Sequence, residues 1–271
     1  MEVNGARLWY EEAGSGPALV LLHGHLIDSG QWDGQFAAFT RVFRTVRYDA
    51  RGFGRSDLPA GPFSFSDDLR GLLDRLGIDR ASLVGCSGGG ATIIDFALAD
   101  PGMVDALVLV GSSLSGFPFS GELPQALVER RGALERGDVD RAVELGLRVW
   151  TDGPRRPEQV DAGVRERTRE MMARQDLRPD PHADAHWVEP PAASRLAEIG
   201  APTLAVVAEH DLPGLHAIAA LVAREVPGAR REVIADAGHH PNMEHPAAFN
   251  ELVLSFLREA AGGRRRRTSL E

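Results

Sequence analysis

Apolar residues follow two alternating rhythms along this chain. Short continuous runs at Ala18–Leu22, Ala81–Val84, Ala106–Val110 and Thr203–Ala208 are bounded by Gly, Pro or Asp and are too short for helices. Between them, apolar positions return every three or four residues. Leu69, Leu72, Leu73 and Leu76 share one face of a predicted helix capped by Ser66. Gln31–Arg41, Gly90–Ala97, His216–Val226 and Pro246–Ala260 also read as helices, and Val3–Tyr10, Phe43–Tyr48 and Arg231–Ala235 as further strands. Continuously apolar strands are buried on both faces. Their alternation with amphipathic helices predicts an α/β fold, a mostly parallel central sheet covered by helices on both faces.

The rhythm changes between Ser112 and Pro191. Strand signals stop, and Gln125–Glu135, Asp138–Trp150 and Glu158–Gln175 read as helices. Proline-rich breaks separate them at Gly153-Pro154, Arg178-Pro179-Asp180-Pro181 and Pro190-Pro191. The expected organisation is a core of residues 1–115 and 190–261 with a helical cap, 116–189, inserted over the strand ends. The run Arg264–Arg267 after Gly262-Gly263 is expected to belong to a disordered basic tail, 262–271.

Composition narrows the chemistry. A chain of 271 residues, 43% hydrophobic, can bury one large core with an inserted lobe. A net charge of -9 argues against nucleic acid or an anionic membrane as partner. Cys86 is the single cysteine, which leaves no intrachain disulfide and fits a reducing compartment. With no signal pattern at the amino terminus and no membrane-length apolar stretch, the expected location is cytoplasmic. All 30 basic residues are arginine. Schiff-base aldolases, pyridoxal enzymes, Ser-Lys hydrolases and P-loop phosphoryl transfer each need a lysine, so those classes are excluded.

The most informative segment is Gly85-Cys86-Ser87-Gly88-Gly89, between a strand run and a helix run. A G-x-S-x-G in that position is a nucleophile elbow, which lifts the serine hydroxyl clear of the sheet. For Cys86 to occupy the apex, position 84 would have to be glycine, and it is Val84. Gly88 is expected to leave room for bulk beside the nucleophile.

With Leu22-His23-Gly24-His25, Asp49-Ala50-Arg51-Gly52-Phe53-Gly54-Arg55-Ser56 and Gly238-His239 in order around it, the chain resembles the α/β-hydrolase fold superfamily over residues 1 to 260. Within that superfamily it is similar to small bacterial esterases, enol-lactonases and cofactor-free perhydrolases. The resemblance implies a Ser87, Asp211, His239 triad in the order expected for the fold. Glu209 is the rival carboxylate, and His240 and His245 are the rival bases. Backbone N–H groups of Gly88 and His25, with Leu26 as the alternative to His25, would form the oxyanion hole.

His23 reads as a structural hydrogen-bonder, and Arg51 with Asp57 as a salt-bridged turn bracing the site. Leu26, Leu114, Phe117, Trp150 and Trp187 are candidate pocket residues. His182 and His186 have helical spacing, but the prolines around them disfavour a metal face, and no metal or cofactor is expected. The expected function is cleavage of a small to medium uncharged carboxylic ester or lactone through an acyl-enzyme. C–C bond hydrolysis or perhydrolysis by the same triad is the first alternative. A ligand-sensing protein with incidental turnover is an alternative of another class.

Overall fold

The structure, a computed structural model, describes residues 1–117 and 125–268, with side chains to Gly262. The chain opens with a small hairpin, β1 (Glu2–Val3) and β2 (Ala6–Arg7), turned at Asn4 and Gly5, whose φ angles are 48° and 77°. Asn-Gly is the preferred pair for a tight hairpin needing two positive φ values. The single strand expected over Val3–Tyr10 is therefore corrected to a hairpin followed by β3 (Tyr10–Ala13).

The main sheet adds β4 (Ala18–Leu22), β5 (Arg44–Tyr48), β6 (Ala81–Cys86), β7 (Val104–Val110), β8 (Thr203–Ala208) and β9 (Arg230–Ile234), in the spatial order β3-β5-β4-β6-β7-β8-β9. Among the described residues of this sheet, only β3 runs antiparallel to its neighbour; the other pairings in it are parallel. Alternate residues of each strand face opposite sides, and both sides are filled. Val20, Leu83, Leu107 and Val207 meet Leu69 and Leu72 of α2 (Phe65–Leu76), Ile93 of α3 (Gly88–Ala99) and Ile218 of α7 (Pro213–Glu225). Leu21, Val84, Val108 and Val206 meet Phe39 of α1 (Asp33–Phe39) and Phe249 and Val253 of the last helix (Pro246–Thr268).

The cap of α2 is Ser64, whose hydroxyl accepts from the Asp67 amide, and not Ser66. Counting from the first leucine placed the start of this helix too late, because Phe65 already belongs to its first turn. The last helix runs through the glycines and the arginine run to Thr268, where a disordered tail was expected. Arginine is a strong helix former, and two glycines cost only about 2 kcal/mol against it. Residues 269–271 lie outside the described residues.

Between β7 and β8 the described residues hold helices and no strand: α4 (Gln125–Glu135), α5 (Val139–Leu147), a π-helical turn at Arg148–Asp152 and α6 (Ala162–Asp176). Arginines on and just after α6 reach the loops that leave β4 and β5. Arg167 donates to Gly30 O at 2.9 Å, and Arg174 pairs with Asp28 at 2.8 Å. Arg178 donates to the carbonyls of Gly52, Gly54 and Ser56. These loops lie at the carboxyl ends of their strands, so α6 is tied down at the end of the sheet where parallel folds place their sites. Among the described residues no helix is long and apolar enough to cross a membrane.

Candidate active site

Ser87 stands between the last residue of β6 and the first residue of α3, with φ 52° and ψ -117°. A non-glycine residue with positive φ stores backbone strain, which the surrounding packing must hold. That packing is visible around it. A Cβ on Gly85 would fall 2.5 Å from Gly89 O, and one on Gly89 would fall 2.5 Å from His23 O. Strand and helix thus approach through glycine alone. Cys86 is fully buried beneath the turn, and burial pushes its thiol up to about 12, so it has no role as a thiolate nucleophile near neutral pH.

The Asp211 carboxylate meets the His239 ring. Its Oδ2 and Oδ1 lie 2.9 and 3.0 Å from Nδ1, and both residues are buried. A carboxylate accepts, so Nδ1 carries a proton, and in the neutral ring Nε2 is the proton-free nitrogen. The His239 amide donates to Trp150 O in the π-turn at 2.9 Å, and the two rings lie 4.7 Å apart. The pair borders Gly111, where a Cβ would fall 2.8 Å from Asp211 Oδ2 and 3.0 Å from His239 Nδ1. The Ser87 amide donates to the carbonyl of the preceding residue, Val110, at 2.9 Å. Ser87 and the Asp211–His239 pair therefore flank two consecutive residues at the end of β7. Among the described residues no hydrogen bond joins Ser87 Oγ to His239. Contacts of this kind commonly tighten only when substrate binds.

Glu209 and His245, two of the rivals, are engaged elsewhere. Glu209 accepts from the Asp236 amide at 2.8 Å, and His245 bonds Asp236 O at 3.1 Å. His240 is buried with no partner on either ring nitrogen among the described residues. His23 receives the Ala50 amide at Nε2 and bonds Gly24 O through Nδ1, which spends both ring nitrogens on the backbone. Arg51 and Asp57 do not pair. Arg51 reaches Asp68 at 2.7 Å, and Asp57 accepts from the Arg7 amide at 2.9 Å. The spacing in that loop turns the two side chains toward different elements.

The His25 ring overturns the reading of Gly88 as open space. A Cβ on Gly88 would fall 2.2 Å from its Cε1 and Nδ1. The ring stacks on Phe53, with centroids 5.0 Å apart, and its Nδ1 lies 2.6 Å from His182 Nε2. The backbone amides of His25 and Gly88 donate to no protein group among the described residues.

A cavity of about 370 Å³ opens beside Gly88, lined by His25, Ala91, Leu114, His182 and Trp187 among others. Of the candidate pocket residues, Leu114 and Trp187 line it. Leu26 instead packs with the Ile27 and Met171 cluster, Phe117 packs at the edge of the core, and Trp150 covers His239. Helical periodicity could not separate residues facing a cavity from residues facing a neighbouring helix. None of the described residues lining the cavity is Asp, Glu or Arg.

Sequence reasoning missed four contributors. Gly111 signals itself only as a glycine after a strand. Gln31 and Asn242 join the loops that carry Gly24 and His239 through a buried amide network. His182 was considered only as a metal ligand; among the described residues no cluster of three or more ligating side chains occurs.

The model of the alpha/beta hydrolase fold family matches residues 17–246. A 2-hydroxy-6-oxononadienedioate/2-hydroxy-6-oxononatrienedioate hydrolase of Burkholderia vietnamiensis is 32% identical over 271 residues, covering 93% of this chain and 91% of that protein. The carboxylesterase YbfK of Bacillus subtilis is 28% identical over 254 residues, covering 89% and 80%. Among solved structures, the enol-lactonase of Burkholderia xenovorans superposes with a TM-score of 0.76 at 26% identity, covering 94% of this chain and 98% of that one.

Proposed function

The chain belongs to the α/β-hydrolase fold family and is a hydrolytic enzyme, and from that premise we propose that it cleaves an uncharged carboxylic ester or lactone through Ser87, His239 and Asp211. The observation that carries this reading is the Asp211 carboxylate on His239 Nδ1, which leaves Nε2 as the base, at the strand ends where Ser87 is held with positive φ.

In the first step Ser87 Oγ bonds to the carbonyl carbon while its proton passes to His239 Nε2. The amides of Gly88 and His25 hold the oxyanion as it forms. Collapse breaks the bond to the leaving oxygen, which takes the proton from His239. A water then gives a proton to His239 as its oxygen bonds to the acyl carbon; collapse breaks the bond to Ser87 Oγ, which takes that proton back from His239, and the acid leaves. In a lactone the leaving alcohol stays tethered to the acyl group.

The relative from Burkholderia vietnamiensis is named for a dicarboxylate substrate. A lining without arginine supports an uncharged substrate here instead. A fluorophosphonate tests the reading. Peptide mapping is expected to find the label on Ser87 alone; a label on Ser112 or Ser113 would displace Ser87 from its role.

A further inference from the structure

We propose that Asp180, His182 and His25 form a hydrogen-bonded chain that presents His25 Nε2 to the cavity as a proton-free acceptor, so that the enzyme selects acyl substrates carrying a hydroxyl or amide N–H close to the scissile carbonyl. This rests on the ester or lactone reading above and names the substrate class of that site.

The argument starts at Asp180. Its Oδ1 accepts the His182 amide at 3.0 Å and lies 2.6 Å from His182 Nδ1. Burial pushes the carboxyl up, but these hydrogen bonds and the His182 ring outweigh it and hold it below the usual carboxylate range. An ionised carboxylate only accepts, so His182 Nδ1 is the protonated nitrogen. In a neutral His182, Nε2 is then a lone-pair acceptor, and it lies 2.6 Å from His25 Nδ1. One of two facing nitrogens must donate, so His25 Nδ1 carries the proton. Burial, the largest cause, holds the His25 ring well below the ordinary histidine range, so it is neutral at working pH. A neutral imidazole protonated at Nδ1 has a bare Nε2.

The one hydrogen bond of the His25 ring among the described residues is made at Nδ1, and the ring lines the cavity. Its position is fixed. Phe53 stacks on it nearly parallel, at 15°, with Phe65 at 5.3 Å and His182 at 4.3 Å between centroids. Its Cε1 and Nδ1 sit over Gly88, the residue directly after the proposed nucleophile. A donor on the acyl group within a few atoms of the carbonyl therefore meets an acceptor already in place. A substrate lacking that donor leaves Nε2 desolvated and unpaired. His25 is a specificity residue in this arrangement; Asp180 and His182 are positioning residues that set its tautomer.

The test pairs two isosteric esters, 4-nitrophenyl 3-hydroxybutanoate and 4-nitrophenyl 3-methylbutanoate, with a tautomer measurement at about pH 8.5, where imidazoles are ordinarily neutral. The hydroxy ester is expected to be preferred about tenfold or more in kcat/KM. In His182→Phe, which keeps an aromatic ring against His25, the ratio is expected to fall within about threefold of unity. Using a ratio cancels any general loss of turnover in the variant. Two-bond proton–nitrogen correlation spectra are expected to show His25 protonated at Nδ1 and bare at Nε2. In Asp180→Asn, whose side chain can donate, the opposite tautomer should gain population. A wild-type ratio near unity, a preference that survives in His182→Phe, or a protonated Nε2 in wild type would each overturn the acceptor site. If neither ester is hydrolysed, the ester and lactone reading falls, and the tautomer spectra alone decide whether the acceptor is present.

Discussion

The imidazole of His25 lies across Gly88 so closely that a single added methyl group at position 88 would fall 2.2 Å from the ring. The ring cannot swing away freely, because Phe53, Phe65 and His182 surround it. Gly88→Ala must therefore displace either the His25 loop or the first turn of α3, and both carry proposed oxyanion donors. Misplacing such groups by about 1 Å costs about a hundredfold, so kcat/KM for 4-nitrophenyl acetate is expected to fall by about that factor. His25→Ala in the same chain removes the collision and should recover part of the loss. An unimpaired Gly88→Ala enzyme would show that the ring is not held there.

Ser87 should separate activity from stability. Ser87→Ala is expected to lower turnover about 10⁶-fold. The fold should be retained, because alanine keeps the strained backbone without the hydroxyl. Ser87→Gly is expected to be equally inactive but more stable, by about 1 kcal/mol or more, since glycine reaches a φ of 52° without penalty. The comparison needs only urea unfolding of the three proteins. Equal stabilities for the alanine and glycine variants would mean that the elbow holds no strain.

The two carboxylates after β8 are expected to behave oppositely. Asp211→Asn lets an amide group face His239 Nδ1, so the ring can adopt the tautomer whose Nε2 is already protonated. The expected loss in kcat is about 10⁴-fold. Among the described residues the one hydrogen bond of the Glu209 carboxylate is to the Asp236 amide, so Glu209→Gln should change kcat by less than about twofold and stability by about 1 kcal/mol. Reversed effects would transfer the orienting role to Glu209.

The main sheet was legible because its strands are buried on both faces and read as unbroken apolar runs. Ala18–Leu22 and Thr203–Ala208 have the same bounds in the sequence reading and in the structure. The elbow was legible because the approach of β6 to α3 permits only glycine at the contact points. What the chain concealed is contact between distant segments. Nothing local to His182 indicates that it meets His25, and nothing local to Asn242 indicates that it meets Gln31. The Asn4-Gly5 hairpin was different: its turn signal is local and specific, but the apolar alternation on either side masked it.

Gln31 and Asn242 allow a test of the link between the two loops. Asn242 Nδ2 donates to Gln31 O and Gln35 Oε1, at 2.9 and 3.0 Å, while Gln31 Oε1 accepts the Gly24 amide at 2.9 Å. All three side chains are buried. Asn242→Leu strands a buried carbonyl and a buried amide, at about 1–3 kcal/mol for each group left unpaired. Gln31→Leu should do the same at Gly24 and loosen the loop that carries His25. The double variant is expected to lose less than the sum of the single losses, because the partners are removed together. Additive losses would show that the two loops are not coupled through these amides.

Acid should weaken the fold through His240. The ring is 3% exposed, neither nitrogen has a partner among the described residues, and the His239 ring lies 5.1 Å away. Burial, reinforced by the neighbouring charge of His239, holds its pKa well below the ordinary histidine value. Above the unfolded-chain value of about 6.5 the residue is neutral in both states and contributes no pH dependence. Below it, the unfolded chain binds a proton that the folded protein does not, so stability falls as pH falls. The limiting slope is about 1.4 kcal/mol per pH unit for each such histidine. His25, also shifted downward, acts with the same sign. Urea unfolding at about pH 7.5, 6.5 and 5.5 should therefore show a declining stability that His240→Leu flattens by up to one histidine's share. The residual slope should include the contribution of His25. Parallel curves for wild type and variant would place His240 in contact with water or a polar partner, and the acid sensitivity would have to come from another group.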